Sequence, residues 1–359
     1  MNDSSETKFS AAVSAGDLAF VQCVLRDAPE LAQKTNALML AAVEGDARMI
    51  RFLAPFSDGK AKDERGNTAL IHASAGTNAK AVEALLPISD AKAANNEGCT
   101  ALMYATQYGP AESVKLLLSH SDAKAADKKG LTALMRAASR GNSKGLKLLL
   151  PHSDPKAVNN NGQTALMHAA SRGNSKGLKL LLPQSDPKAA DENGYTALMM
   201  AGDRGALECI RLLLPSSDPK EMAKNGWTAL AFAAMRQRIE CVKLLLPHSD
   251  AKAIIGPGKA IDAPRTNALS SVGAPEWWNC LDFVVARGAP EQAQWAVDLG
   301  RELRGDEALA DLPECCALLE KEILIAAIAD ACQSTAGDTV ALCAEEESSP
   351  FLTNGPRRI

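Results

Sequence analysis

This 359-residue chain has few aromatic residues, no Cys-x-x-Cys pair and no long apolar segment. Aromatic residues make up only 4% of it while alanine is abundant, which fits short, closely packed helices better than one large globular core. No apolar run reaches the roughly 20 residues that cross a membrane, so no membrane contact is expected. The net charge of −4 makes nucleic acid an unlikely partner, because nucleic-acid binders typically carry a basic surface.

The nine cysteines do not resemble a disulfide framework or a metal site. Cys209 and Cys241 lie 32 residues apart, at one position of a repeated segment, and we interpret the cysteines as small buried hydrophobic residues. The first ten residues are polar and do not form a secretory signal. We therefore expect a cytoplasmic protein, with delivery into a host cell without a classical signal peptide as the alternative.

A segment with a period of 32 residues organises most of the chain. Residues 164–194 read TALMHAASRGNSKGLKLLLPQSDPKAADENG. The threonine that opens the segment recurs at constant spacing, at Thr68, Thr100, Thr132, Thr164, Thr196 and Thr228. A constant period of this size is typical of a stacked repeat protein. Asn36 stands at the same position one period before the first of these threonines.

Each unit is predicted to be a pair of short helices. The hydroxyl of Thr164 can accept a hydrogen bond at the start of a first helix, which Gly173 ends. Asn174 can cap a second helix, which carries leucines at helical spacing and ends at Pro183. Because helices this short are marginal alone, each unit must bury its apolar face against its neighbours.

The pattern TALMxAAxxGNxxxxKLLL resembles the ankyrin repeat, whose usual form has TPLH, two alanines, a glycine and a run of leucines at these spacings. Alanine replaces the usual proline, methionine often replaces the histidine, and the loop is about one residue shorter. The resemblance implies an all-α ankyrin-repeat solenoid of stacked helix-turn-helix units. We expect degenerate capping units at its N-terminal and C-terminal ends, and a C-terminal helical extension after them.

Four parts follow from this pattern. Residues 1–31 are expected to hold a disordered start, over residues 1–7, and an N-terminal capping repeat. Residues 32–255 are expected to form the ankyrin repeat array. Residues 256–300 begin with a loop rich in glycine and proline and continue as a degenerate ninth repeat. In residues 301–359 we expect a capping helix and then an acidic tail. Pairing of that helix with a second copy or a partner is the alternative.

One repeat position carries arginine in four successive units. The eighth residue after the threonine is Arg140, Arg172, Arg204 or Arg236, and it is Tyr108 in the preceding unit. The resemblance implies partners that contact the turn tips and the first-helix ends of a concave face. Arginine binds carboxylate or phosphate through paired hydrogen bonds, so these residues are candidates for partner binding. The structural alternative is that each arginine only complements the dipole of its helix.

The residue before each threonine is expected at an exposed turn tip. Four of these residues are further candidates for partner binding: Leu131, Gln163, Tyr195 and Trp227. Tyrosine and tryptophan are favoured anchors at interfaces, although packing against neighbouring turns would also explain them. Together with the arginines they favour an acidic partner peptide that carries apolar residues.

Two further charged rows are expected to be structural or solvated. The first consists of the aspartates of the S-D-x-K loops, and the second of the basic residues of the second helices: Lys115, Lys147, Lys179, Arg211 and Lys243. The five histidines recur as parts of the unit, without a nucleophile or a second metal ligand at the required spacing.

The sequence therefore favours a monomeric, non-enzymatic protein–protein interaction module, a scaffold, adaptor or inhibitor, that needs no cofactor or metal. Two alternatives stay open. One is a secreted effector or regulator that acts through the C-terminal region. The other is a binder of phosphorylated or nucleic-acid ligands that uses the arginine row, for which a steep dependence of binding on salt would be typical.

Overall fold

The structure is a computed structural model that describes residues 3–249. This part of the chain forms 17 α-helices and no strands. Their bounds are α1 Asp3–Ala15, α2 Leu18–Asp27, α3 Leu31–Lys34, α4 Ala37–Glu44, α5 Ala47–Leu53, α6 Ala69–Ala75, α7 Ala79–Leu85, α8 Ala101–Tyr108, α9 Ala111–Leu118, α10 Ala133–Arg140, α11 Ser143–Leu149, α12 Ala165–Arg172, α13 Ser175–Leu181, α14 Ala197–Arg204, α15 Leu207–Leu213, α16 Ala229–Met235 and α17 Ile239–Leu245. No helix in this range is long and apolar enough to cross a bilayer.

Each first helix begins at the repeated threonine, as the spacing predicts. The side chain of Thr164 accepts a hydrogen bond from the amide of Met167 at 3.4 Å, and the other five threonines make the same bond to the residue three positions on. In α12 the helix ends at Arg172, and Gly173 follows with a φ of 68°, in the left-handed region that glycine adopts readily. The threonine and the glycine thus define the two ends of this first helix.

The second helices end less abruptly than expected. In the unit that opens at Thr164, α13 ends at Leu181, and a 3-10 helix follows over Leu182–Gln184. Pro183 lies in the first turn of this 3-10 helix, where its missing N–H costs no hydrogen bond. The proline therefore tightens the chain into a last turn and does not simply stop it.

The helices stack in two layers. First helices pack against first helices from α4 through α16, and second helices pack against second helices from α5 through α17. Leu134, Leu166 and Leu198 of the first helices are completely buried, as are Leu146 and Leu178 of the second helices. The continuous apolar layer between neighbouring units explains how helices of seven or eight residues are stable, because burial of apolar surface supplies what their length does not.

Short hairpin turns join one unit to the next and also stack. In the turn before Thr164, the amide of Asn159 donates to the carbonyl of Gln163 at 3.0 Å, and Gly162 has a φ of 77°. The amide of Asn160 donates to the carbonyl of Lys129 in the preceding turn at 3.0 Å. Equivalent backbone bonds link the other turns from residue 65 to residue 224, so the turns form a regular edge beside the first helices.

The N-terminus differs from the expectation of a disordered start, because α1 already begins at Asp3. Residues 3–6 are Asp, Ser, Ser and Glu, which favour the first turn of a helix. Phe9 and Val13, one turn apart, are completely buried and anchor this helix. The loop, the ninth repeat, the capping helix and the acidic tail that we expect in residues 256–359 lie outside the described residues.

Candidate partner-binding surface

Three of the four repeated arginines lie in one row at the ends of first helices. Arg140, Arg172 and Arg204 are the last residues of α10, α12 and α14, and all three are exposed. None of them forms a salt bridge with another residue of the part that the structure describes. We call the ends of α8, α10, α12 and α14, with the turns beside them, the first-helix surface. A cation at a helix C-terminus is favourable for the dipole, and these arginines are also available to a partner.

The fourth arginine is engaged within the array. Arg236 is the C-terminal cap residue of α16, and its Nε donates to Oδ1 of Asp203 at 2.7 Å. Both side chains are little more than one third exposed, so each partly shields the other from solvent. The positive charge of Arg236 is therefore compensated by a residue of the preceding repeat, unlike the charges of the other three arginines.

Tyr108 and Arg140 belong to neighbouring repeats and are in contact. The guanidinium carbon of Arg140 lies 5.1 Å from the centre of the Tyr108 ring, and the tyrosine is 48% exposed. The Nε of Arg140 donates to the backbone carbonyl of Gln107 at 3.3 Å, and the side-chain amide of Gln107 donates to the tyrosine hydroxyl at 2.8 Å. These contacts orient the guanidinium group at the surface.

A cleft of about 420 Å³ lies at the centre of the first-helix surface. Arg140 and Arg172 both line it, and the half-buried Leu131 contributes apolar surface. A volume of this size is in the range of small-ligand sites, of roughly 300–1,000 Å³. The cleft therefore places two exposed cations beside an apolar side chain.

Arg136 also lines this cleft, but its charge is compensated. Its Nη2 lies 2.5 Å from Oδ2 of Asp127 and 3.0 Å from Sγ of Cys99, and its Nη1 lies 2.5 Å from Oε1 of Gln107. The side chains of Arg136 and Asp127 are only 16% and 3% exposed. Burial raises the pKa of the Cys99 thiol, and the neighbouring Arg136 opposes this effect. This cluster holds the cleft in shape.

Arg136 and its partner Asp127 are not among the residues that we expected at the site from the sequence. The sequence does contain a signal for this pair. In several units, the fourth residue after the threonine contacts the residue that lies nine positions earlier in the chain. The corresponding contacts join Asp63 to His72 at 2.9 Å and Asn159 to His168 at 3.3 Å. In the same row, burial lowers the pKa of His168, so the neutral imidazole is favoured.

The four residues before the threonines are not exposed tips, and this expectation is wrong. Leu131, Gln163, Tyr195 and Trp227 are all half-buried. The rings of Tyr195 and Trp227 lie 5.4 Å and 5.1 Å from the ring of Phe232. The hairpin directs the side chain at this position toward a first helix. Tyr195 and Trp227 therefore pack within the array, which is the alternative that the sequence left open for them. Leu131 instead lines the cleft.

The two other charged rows have the environments expected of them. Oδ1 of Asp154 accepts a hydrogen bond from the backbone amide of Lys156 at 2.9 Å, and the five equivalent aspartates of the described repeats make the same bond. Asp250 and Lys252, the last pair of this row, lie outside the described residues. The basic residues of the second helices are all exposed.

Three of the four cysteines in the described range are buried, as we expected. Cys99, Cys209 and Cys241 are buried, whereas Cys23 is exposed on α2. Burial raises the pKa of the Cys209 thiol to about 11.

A family model described as "Ankyrin repeats (3 copies)" matches residues 9–95, 38–127, 75–158, 111–191, 134–221 and 178–255. Together these matches cover more than half of the chain, and they coincide with the stacked units of the structure. None of the curated proteins compared with the chain is a significant match.

Proposed function

Because this chain belongs to the ankyrin-repeat family, we propose that it is a non-enzymatic scaffold, adaptor or inhibitor that holds a partner protein on the first-helix surface. Ankyrin repeats are generally protein–protein interaction modules. In this proposal the protein acts as a monomer in the cytoplasm, and its first-helix surface is the concave face of the family.

The uncompensated arginine row is the observation that carries this proposal. Arg140, Arg172 and Arg204 project from three successive repeats without a salt bridge inside the described part of the chain. Such a row favours an acidic partner, because complementary charges steer encounter and fix the register of a complex. The array is packed before the partner arrives, so little conformational freedom is lost on binding.

Apolar surface lies beside the charges. Tyr108 is exposed next to Arg140, and the half-buried Leu131 lines the cleft between the arginines. Tyrosine supplies a large contact area with few rotatable bonds. The proposed partner is therefore an acidic segment with apolar side chains.

Affinity capture with matched charge reversals tests this proposal. The first variant replaces three arginines of the first-helix surface with glutamate: Arg140, Arg172 and Arg204. The control variant makes the same change in net charge, in the same three repeats, at exposed residues of the second helices: Lys147, Lys179 and Arg211.

We expect a partner that the wild type and the control variant recover from the native cell lysate and that the first variant does not recover. Loss of the partner from both variants would show that only net charge matters. Retention by the first variant would contradict the proposed surface. Circular dichroism must show native helix content in both variants, which we expect because all six side chains are exposed.

A further inference from the structure

We propose that the cleft between Arg140 and Arg172 binds a phosphorylated serine or threonine side chain of the partner protein. This inference rests on the proposed function and specifies the chemistry of its central contact. Phosphorylated motifs are commonly recognised by clusters of arginine.

The charge of the cleft matches a phosphate dianion better than a single carboxylate. Arg140 and Arg172 line the same cleft, and neither forms a salt bridge with a residue of the described range. The charge of Arg136 is compensated by the buried carboxylate of Asp127. None of the residues that line the cleft is acidic. Two uncompensated positive charges thus face the space, and a phosphorylated side chain carries about −1.5 to −2 at neutral pH.

Arg140 is oriented before any ligand binds. Its Nε donates to the carbonyl of Gln107, and its guanidinium plane contacts the ring of Tyr108. Both Nη groups of Arg140 make no hydrogen bond with another residue of the described part, so they are available as a pair. Paired N–H groups match two oxygens of one phosphate, and lysine cannot reproduce this geometry.

Ser139 supplies a further donor in the same cleft. It is one of the residues that line the cleft, and its hydroxyl makes no hydrogen bond with another described residue. A phosphate group has three acceptor oxygens and can use such a donor in addition to the arginines, whereas a carboxylate has only two oxygens.

No other position of the described array repeats this combination. The next pair along the row is Arg172 and Arg204, but the residue that corresponds to Tyr108 is there Arg140, which provides no aromatic ring. In the pair after that, Asp203 forms a salt bridge with Arg236. The proposal therefore assigns phosphate recognition to one cleft and leaves Arg204 as a contributor of general positive charge.

Binding of peptide libraries to the full-length chain tests the proposal. The probes are three fluorescent heptapeptide libraries, degenerate except at the central residue, which is phosphoserine or phosphothreonine in the first, serine or threonine in the second, and glutamate in the third. We expect the phosphorylated library to bind at least about tenfold more tightly than either of the others, since hydrogen bonds to charged groups contribute factors of this size. Equal binding of the glutamate library, or no preference for the phosphorylated library, would overturn the proposal.

Conservative variants locate the binding. Arg140→Lys keeps the charge but removes the paired donors, so we expect about a tenfold loss of affinity for the phosphorylated library. Arg204→Lys is the matched control and should leave the affinity unchanged. Unchanged affinity of Arg140→Lys, or an equal loss in both variants, would contradict the assignment. Stronger competition by a single-stranded oligonucleotide than by O-phosphoserine peptides would show that the site takes nucleic acid.

Phosphatase treatment of the lysate separates this inference from the proposed function. If the partner captured by the wild type is lost after treatment, the phosphorylated side chain is required. If it is still captured after treatment but lost on charge reversal of the arginine row, the proposed function holds and the phosphate inference fails. If charge reversal has no effect, the surface itself is wrong.

Discussion

Replacing Asp127 with asparagine should destabilise the array by about 2–3 kcal/mol, even though asparagine fills this position in neighbouring repeats. The carboxylate is 3% exposed, and its Oδ1 accepts hydrogen bonds from the amides of Lys129 and Leu131 at 2.8 Å, which asparagine can keep. Its Oδ2 faces Arg136, whose side chain is 16% exposed, and asparagine leaves that buried charge without its counter-ion. Breaking a buried ion pair costs about 3–5 kcal/mol, and the remaining contacts of the guanidinium with Gln107 reduce that figure.

A second substitution should repair the first. Arg136→His in the Asp127→Asn background recreates the Asn159–His168 pair of the following repeat, which the structure joins at 3.3 Å. We expect the double variant to recover about 1–2 kcal/mol relative to Asp127→Asn. Urea unfolding, followed by far-UV circular dichroism, measures the stability of the wild type, of the two single variants and of the double variant. Equal stability of Asp127→Asn and the wild type, or no recovery in the double variant, would refute this account of the pair.

Three further predictions concern burial in the array. Leu166→Ala removes a completely buried side chain and should lower the free energy of unfolding by about 3–5 kcal/mol, whereas Val158→Ala, at a 57% exposed position, should change it by less than about 0.5 kcal/mol in the same urea assay. Burial lowers the pKa of His168, so this histidine is protonated at a higher pH in the unfolded chain than in the folded chain. Unfolding measured at several pH values should therefore show the free energy of unfolding falling below about pH 6.5, and His168→Gln should weaken that fall. Iodoacetamide should alkylate the exposed Cys23 much faster than Cys209, whose thiol pKa is raised to about 11, and peptide mass spectrometry that found equal rates would contradict the burial.

The regular part of the fold is predictable because its signals are local. The hydroxyl of Thr164 caps the helix that starts one residue later, and Gly173 ends that helix with a left-handed φ. Asn174 also caps α13: its side chain accepts a hydrogen bond from the amide of Gly177 at 2.9 Å, as Asn142 does from the amide of Gly145 at 2.8 Å. Each signal acts over two to four residues, so residue type and spacing are sufficient to recognise it.

The details of the candidate surface are not predictable in this way, because they depend on contacts between units. Tyr195 lies at a turn, and only the packing of α16, the first helix of the following repeat, brings Phe232 against it. Arg236 occupies the same repeat position as Arg204, but its salt bridge depends on an aspartate at a position where the two preceding repeats have serine. Contacts between residues about 30 positions apart follow from the stack and not from a local pattern.

Site-specific photocross-linking tests the central claim most directly. A benzoylphenylalanine in place of Tyr108 puts a reactive ring on the first-helix surface, and the same residue in place of Lys115 puts it at an exposed position of the second helix in the same repeat. The account predicts that the captured partner is cross-linked from position 108 and not from position 115. Cross-linking from position 115 alone would contradict it and would place the partner on the second helices.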